Sequence, residues 1–269
     1  MIINKLRTSI FILKNYGLLA FLKKFRNLLI DYIFVASISK ITKNEISQNY
    51  ISNIIKTLSK AVLYTFQMDV QGDIAEFGTM TGRTAISLAT AVNTINRSQG
   101  VNSKNNKKIH FFDSFEGLPP SNLAIDKNSI HVKNGKWVEG KCKGLNATQF
   151  TKLISKYLER RNFIVYKGWF NKTLSNLPSS TKLSLIHIDS DLYESAIDVL
   201  EYLFKNRHIS NGSVILFDDW NCNAADPNFG ERRAFKEVCD KFSISFSDEG
   251  SYGIAGHKFI IHDYKDLRN

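Results

Sequence analysis

From residue 73 onward, short apolar runs alternate with segments in which apolar residues recur every three to four positions. The runs at 73–77, 108–112, 163–166, 183–189, 213–217, 242–247 and 254–261 predict strands. The segments 82–96, 148–160, 192–207 and 230–240 predict helices. Near-continuous apolar strands alternating with helices imply a parallel sheet covered on both faces. Only a short glycine-containing turn separates the last two strands, which predicts an antiparallel hairpin at one edge. Upstream, residues 2–30 and 46–68 have a helical period. Ile3, Leu6, Ile10 and Leu13, then Leu18, Phe21, Leu22, Phe25, Leu28 and Leu29, mark one stretch that Gly17 interrupts. Ile51, Ile54, Ile55, Leu58, Val62, Leu63 and Phe66 give a second helix over 46–68. The expected organisation is a helical extension over 1–68 and an α/β domain over 69–269. Two connections stand out. Loop 97–107 is polar, and segment 115–147 is long, with Pro119 and Pro120 near its start. Loops of that length usually act as lids or are disordered.

Composition narrows the class. The chain has 269 residues, 43% hydrophobic and 12% aromatic, which excludes wholesale disorder. Its formal charge is +11. Residues 1–70 hold ten basic side chains against three acidic ones, so most of the excess lies in the extension. A basic amphipathic helix suits peripheral contact with an anionic membrane through residues 1–45. The plainer reading is packing on its own domain or on a second subunit, hence a homo-oligomer. No apolar run reaches the ~20 residues that a membrane span needs. No signal cleavage site follows one. The three cysteines, Cys142, Cys222 and Cys239, form no C-x-x-C pair. They point to a reducing, cytoplasmic setting, at most membrane-associated on its inner face, and offer no structural zinc site. The charge comes without a base-reading module, so no nucleic-acid partner is expected.

Three motifs carry the chemistry. Glu76-Phe77-Gly78-Thr79-Met80-Thr81-Gly82 closes the first strand and opens a helix. Met80 stands where a dinucleotide fingerprint has its central glycine, so a cationic amino-acid ligand fits better than pyrophosphate. Asp113-Ser114-Phe115-Glu116-Gly117 follows the second strand, where a carboxylate can accept both hydroxyls of a ribose or simply order a turn. His187-Ile188-Asp189-Ser190-Asp191 ends the fourth strand, and Phe217-Asp218-Asp219-Trp220 ends the fifth. Parallel strands deliver both clusters to one sheet edge. Four carboxylates there repel one another unless a hard cation such as Mg²⁺ is present. Helix capping by Asp191 and simple exposure of the rest are the alternative. His187 and His110 sit inside apolar strands and read as core histidines. His131 lies in the long loop.

Together these residues resemble the macrocin-type O-methyltransferases over roughly residues 70–245. The landmarks are E-F-G-x-x-x-G at 76–82, F-D-S-F-E-G-L-P at 112–119, G-W-F-x-x-T-L at 168–174, H-I-D-S-D-L-Y-E-S at 187–195 and F-D-D-W at 217–220. Trp137-Val138-Glu139-Gly140 adds to the likeness. The resemblance implies a Rossmann-like class I methyltransferase fold with a seven-stranded, mostly parallel sheet. It implies an S-adenosylmethionine- and Mg²⁺-dependent enzyme that methylates a sugar hydroxyl on a glycan, glycolipid or glycosylated natural product. Asp189, Asp218 and Asp219 correspond to metal ligands and Asp191 to the general base. Glu76, Gly78, Thr79, Asp113, Ser114, Gly168 and Trp169 correspond to cofactor-binding positions. Segment 115–147 would close over the site. A catechol-type small-molecule O-methyltransferase shares these requirements. A non-catalytic membrane-apposed protein and a nucleic-acid-binding protein are the alternatives of other classes.

Overall fold

The computed structural model describes Leu22, residues 52–100, residue 103 and residues 105–266. The chain divides between Tyr50 and Ile51. The second unit holds one seven-stranded sheet: β1 (Asp73–Phe77), β2 (Ile109–Asp113), β3 (Phe163–Lys167), β4 (Leu183–Ile188), β5 (Ile209–Phe217), β6 (Ser245–Tyr252) and β7 (Gly256–Asp263). Their order is β3-β2-β1-β4-β5-β7-β6. The first five strands pair in parallel, while β7 runs antiparallel between β5 and β6. The helices are α1 (residues 52–67), α2 (Arg83–Gln99), α3 (Ala124–Asn128), α4 (Ile130–Lys133), α5 (Ala147–Ile154), α6 (Phe170–Thr173), α7 (Tyr193–Lys205) and α8 (Gly230–Phe242). The chain winds outward from β1 to β3, then returns to β4 beside β1. That reversal leaves a crevice at the carboxyl ends of β1 and β4. Among the described residues, no helix is long and apolar enough to cross a membrane.

The apolar runs are continuous because both faces of the sheet are buried. Alternate residues serve opposite cores. Ala75, Phe77, Ile186, Ile188, Ile215 and Phe217 pack under α7 and α8. Ile74, Leu185, Val214 and Leu216 pack under α1, α2 and α5. On the first face Phe77, Phe112 and Tyr166 stack across β1, β2 and β3, with centroids 4.8 and 4.2 Å apart. Such offset stacks add to simple burial.

Several boundaries differ from those expected. Ile54, Leu58, Ala61, Val62 and Phe66 lie in the same core as α2, so α1 belongs with the sheet and not with an extension ending at residue 68. The helix expected over 2–30 and the contacts expected of residues 1–45 fall outside the described residues, Leu22 apart. β5 begins at Ile209, four residues early, because the polar Ser210-Asn211-Gly212 stretch hides a strand that pairs Ile209 with Leu183 before its register shifts. Phe242 stays on α8, against Phe204 at 5.8 Å, and β6 starts later. α5 stops at Ile154, where a tight turn ties Leu158 N–H back to Ile154 O. The long segment after β2 holds α3 and α4.

Candidate active site

A cleft of about 390 Å³ opens at the carboxyl ends of β1, β2 and β4, a volume in the ordinary range for a cofactor site. Its floor is organised by Asp113. Asp113 Oδ2 accepts the backbone N–H of Thr79 at 2.7 Å, the Thr79 hydroxyl at 2.9 Å and the N–H of Met80 at 3.2 Å. Oδ1 accepts the N–H of Phe115 at 2.6 Å. The carboxylate therefore locks the turns after β1 and β2 together. Oδ1 alone retains room for a further hydroxyl, so a ribose would find one acceptor here and not two. Gly78 allows this arrangement for a different reason. Its φ is +92°, and a Cβ there would lie 1.9 Å from the Asp189 carbonyl oxygen. The glycine lets β1 and β4 end side by side.

Gly78, Thr79, Asp113, Ser114, Trp169, Asp189, Asp191 and Asp219 line the cleft; Glu76, Gly168 and Asp218 do not. Glu76 shares the Ile74 face of β1. It is fully buried, with Oε1 3.1 Å from His187 Nδ1. The register places these two residues opposite each other, so His187 serves the core as expected and Glu76 serves it too. Gly168 donates its N–H to Asp113 O at 2.9 Å, behind the cleft wall.

Asp189, Asp191 and Asp219 each place a carboxylate oxygen within 4.8 Å of the others. Asp218 stands outside this trio, yet its Oδ1 is buried with no hydrogen-bond partner, as is Asp219 Oδ2. Burial raises all four carboxyls, and mutual repulsion adds to the rise at Asp189, Asp191 and Asp219. Asp191 is pushed up to about 6. None of the four forms an ion pair with a Lys or Arg among the described residues. Clustered carboxylates with orphaned oxygens and no internal cation are the donor set that a hard divalent ion satisfies. The residues present thus fit Mg²⁺.

Asp191 sits in the left-handed region at φ 60°, which aspartate tolerates better than most residues. It does not cap α7. Leu192 occupies the N-cap and offers no side-chain acceptor. Asp126, buried in α3, caps α7 from outside: it accepts the N–H groups of Tyr193 at 2.8 Å and Glu194 at 3.0 Å. Asp191 instead has polar neighbours in Asp219, Cys142 and Trp137, which offset part of the rise that burial imposes on it. Cys142 and Trp137 come from the long segment, which is folded down over the site. Leu118, Trp137 and Leu192 form a small apolar cluster there. His131 stacks on Trp137 at 4.4 Å, and its backbone N–H donates to Asn223 Oδ1 at 3.0 Å. Cys222 Sγ donates to Asp219 Oδ1 at 3.2 Å. Asp126 and Cys142 escape notice in the sequence because each acts across a long separation, and Cys222, three residues from Asp219, because a lone cysteine carries no motif.

The family model described as Macrocin-O-methyltransferase (TylF) matches residues 51–242. The 8-demethyl-8-(2,3-dimethoxy-alpha-L-rhamnosyl)-tetracenomycin-C 4'-O-methyltransferase of Streptomyces olivaceus is 27% identical over 190 residues, 65% of this chain and 62% of that protein. The demethyldecarbamoylnovobiocin O-methyltransferase of Streptomyces niveus is 27% identical over 199 residues, 68% of this chain and 66% of that one. The match therefore spans less than two thirds of either relative. Among solved structures, the O-methyltransferase NovP aligns with a TM-score of 0.63 at 22% identity, over 78% of this chain and 79% of its own. CalS11, a calicheamicin methyltransferase, aligns at 0.58 with 21% identity, over 77% of each chain. At these identities the two structures speak to the fold alone, the class I methyltransferase arrangement.

Proposed function

Because the chain belongs to the macrocin O-methyltransferase family, we propose that it transfers the methyl group of S-adenosylmethionine to a sugar hydroxyl, with Mg²⁺ assisting. The acceptor would be a glycan, a glycolipid or a glycosylated natural product. The two curated relatives, both O-methyltransferases by name and the first one acting on a rhamnosyl-bearing compound, support that class. The observation that carries the proposal is the convergence of Asp189, Asp191 and Asp219 in one cleft with the Asp113-locked turns.

When bound, S-adenosylmethionine supplies an activated methyl group, and Mg²⁺ supplies a Lewis acid that lowers the pKa of an acceptor hydroxyl. The protein's share is binding, orientation and a proton acceptor. The turn 78–80 and Asp113 Oδ1 hold the cofactor's amino-acid and ribose parts, and Trp169 walls the adenine side. Asp189, Asp218 and Asp219 hold the cation. Asp218 takes this role on its buried Oδ1, which has no hydrogen-bond partner. Asp191, pushed up to about 6 and facing the cleft, takes the hydroxyl proton. The folded-down segment with Trp137 excludes water from the reacting groups.

The test is calorimetric titration of S-adenosylmethionine and Mg²⁺, then methyl transfer to a panel of glycosylated acceptors. Asp219→Asn is expected to lose the metal and keep the cofactor. Asp191→Asn is expected to keep both and lose single-turnover methyl transfer. Loss of the metal in Asp191→Asn would make Asp191 a ligand instead. Failure of the wild type to bind the cofactor would reject the proposal.

A further inference from the structure

Two separate loops carry the four carboxylates, one after β4 and one after β5. One buried side chain reaches the backbone of both. Glu231, the second residue of α8, is 1% exposed. Its Oε1 accepts the N–H of Ser190 at 3.2 Å and the Ser190 hydroxyl at 3.4 Å. Its Oε2 accepts the N–H of Asp219 at 3.0 Å. Ser190 lies between Asp189 and Asp191, so one carboxylate bridges both halves of the acidic site. The neighbouring arginines are engaged elsewhere. Arg232 donates to Trp220 O and Asn221 Oδ1, and Arg233 pairs with Glu237. Among the described residues Glu231 is thus a buried acid without an ion pair, held by amides of the two acid-bearing loops. Gly230, at φ +57°, brings the start of α8 beside the Asp191 carbonyl, where a Cβ would lie 3.8 Å away. Glu231 does not line the cleft.

We propose that Glu231 is a positioning residue for the metal site: it clasps the Ser190 and Asp219 amides and so sets the separation of the loops that carry the ligands. This rests on the reading of those carboxylates as a cation site. A side chain without that task would gain nothing from burying a carboxyl group here, since burying a polar group without compensation is costly. Partners one step behind metal ligands typically change metal affinity tenfold to a hundredfold when altered.

The experiment measures Mn²⁺ binding to the full chain by paramagnetic resonance, S-adenosylhomocysteine binding by calorimetry, and melting in EDTA. It compares wild type, E231Q, E231D and D219N. Glutamine keeps one acceptor but turns its NH₂ towards the other amide, so only half of the clasp survives. E231Q is expected to weaken Mn²⁺ binding by about tenfold to a hundredfold, with S-adenosylhomocysteine affinity unchanged. E231D should lose less. Wild-type Mn²⁺ affinity in E231Q, while D219N loses the ion, would overturn the clasp and leave the metal site standing. Equal weakening of ion and cofactor would reduce Glu231 to a general structural role and also overturn it. No Mn²⁺ binding by the wild type would overturn the metal site and the clasp together. Should E231Q fail to fold, E231D decides: wild-type affinity there rejects the clasp, and a selective loss of Mn²⁺ supports it.

Discussion

Asp113 Oδ2 accepts the backbone N–H of Thr79 at 2.7 Å, so the acid that ends β2 holds the turn that follows β1. Hydrogen bonds to a charged group contribute more than neutral ones, roughly 1.5–3 kcal/mol each. Asp113→Ala removes the acceptor of all four such bonds. The turn around Thr79 is then expected to lose its shape, and S-adenosylhomocysteine affinity to fall by at least about tenfold, near 1.4 kcal/mol. Mn²⁺ binding should survive, because the acidic loops do not depend on Asp113. Calorimetry of both ligands measures this, and unchanged cofactor affinity would remove Asp113 from the site.

The acidic site makes stability depend jointly on pH and metal. Burial raises these carboxyls, Asp191 to about 6. Without metal, the folded protein therefore holds protons there that the unfolded chain has released. That contribution is fully present at low pH and is lost as pH rises through about 6 at Asp191. A cation binds only the deprotonated set. The rise in melting temperature on adding Mg²⁺ is thus expected to be small near pH 5 and to grow towards pH 8. Thermal scans with Mg²⁺ and with EDTA across that range measure it. The growth should vanish in Asp219→Asn, and a pH-independent rise would contradict the assignment.

Asp126 caps α7 from a segment 67 residues earlier. Losing an N-cap acceptor costs about 0.5–2 kcal/mol. Asp126→Ala should show that loss in urea unfolding, together with faster amide exchange across residues 115–147. If exchange in that segment stays at the wild-type rate, it is anchored by something other than this cap.

Lys107 is 6% exposed, and its ammonium donates to Val70 O at 2.6 Å and Gly72 O at 2.8 Å. Burial, partly offset by Asp73 and Asp69, pulls it from 10.5 to about 8. The unfolded chain therefore binds the proton more tightly than the folded one. Wild-type stability relative to Lys107→Met is expected to rise as pH climbs from about 8 towards 10.5, by at most about 3 kcal/mol. Urea unfolding of both proteins at several pH values reads the difference directly, and a flat difference would contradict the buried, proton-shedding lysine.

Much of this molecule is local information. Strands covered on both faces must be apolar at nearly every position, so β1, β2 and β4 stand out as short runs. β5 was only half visible because Ser210, Asn211 and Gly212 interrupt its apolar pattern while still supplying backbone. The acidic motifs were legible because each occupies consecutive positions at a strand end, and parallel strands necessarily deliver them to one edge. Glu76 shows the limit. Its motif suggests a cofactor contact, but strand alternation puts its side chain on the Ile74 face, where the β1–β4 register sets it against His187.

The sequence by itself determined the period of each element, the order of the motifs and the sheet edge at which their chemistry gathers, because these depend on neighbours a few positions apart. Only the tertiary structure decided which carboxylates lie within 4.8 Å of one another and which side chains hold them there. Asp126 on α7, Trp137 and Cys142 on Asp191, and Glu231 on Ser190 act across 41 residues or more. An acid that serves a distant backbone amide has no local period or spacing to mark it, so its role emerges only when the chain is packed.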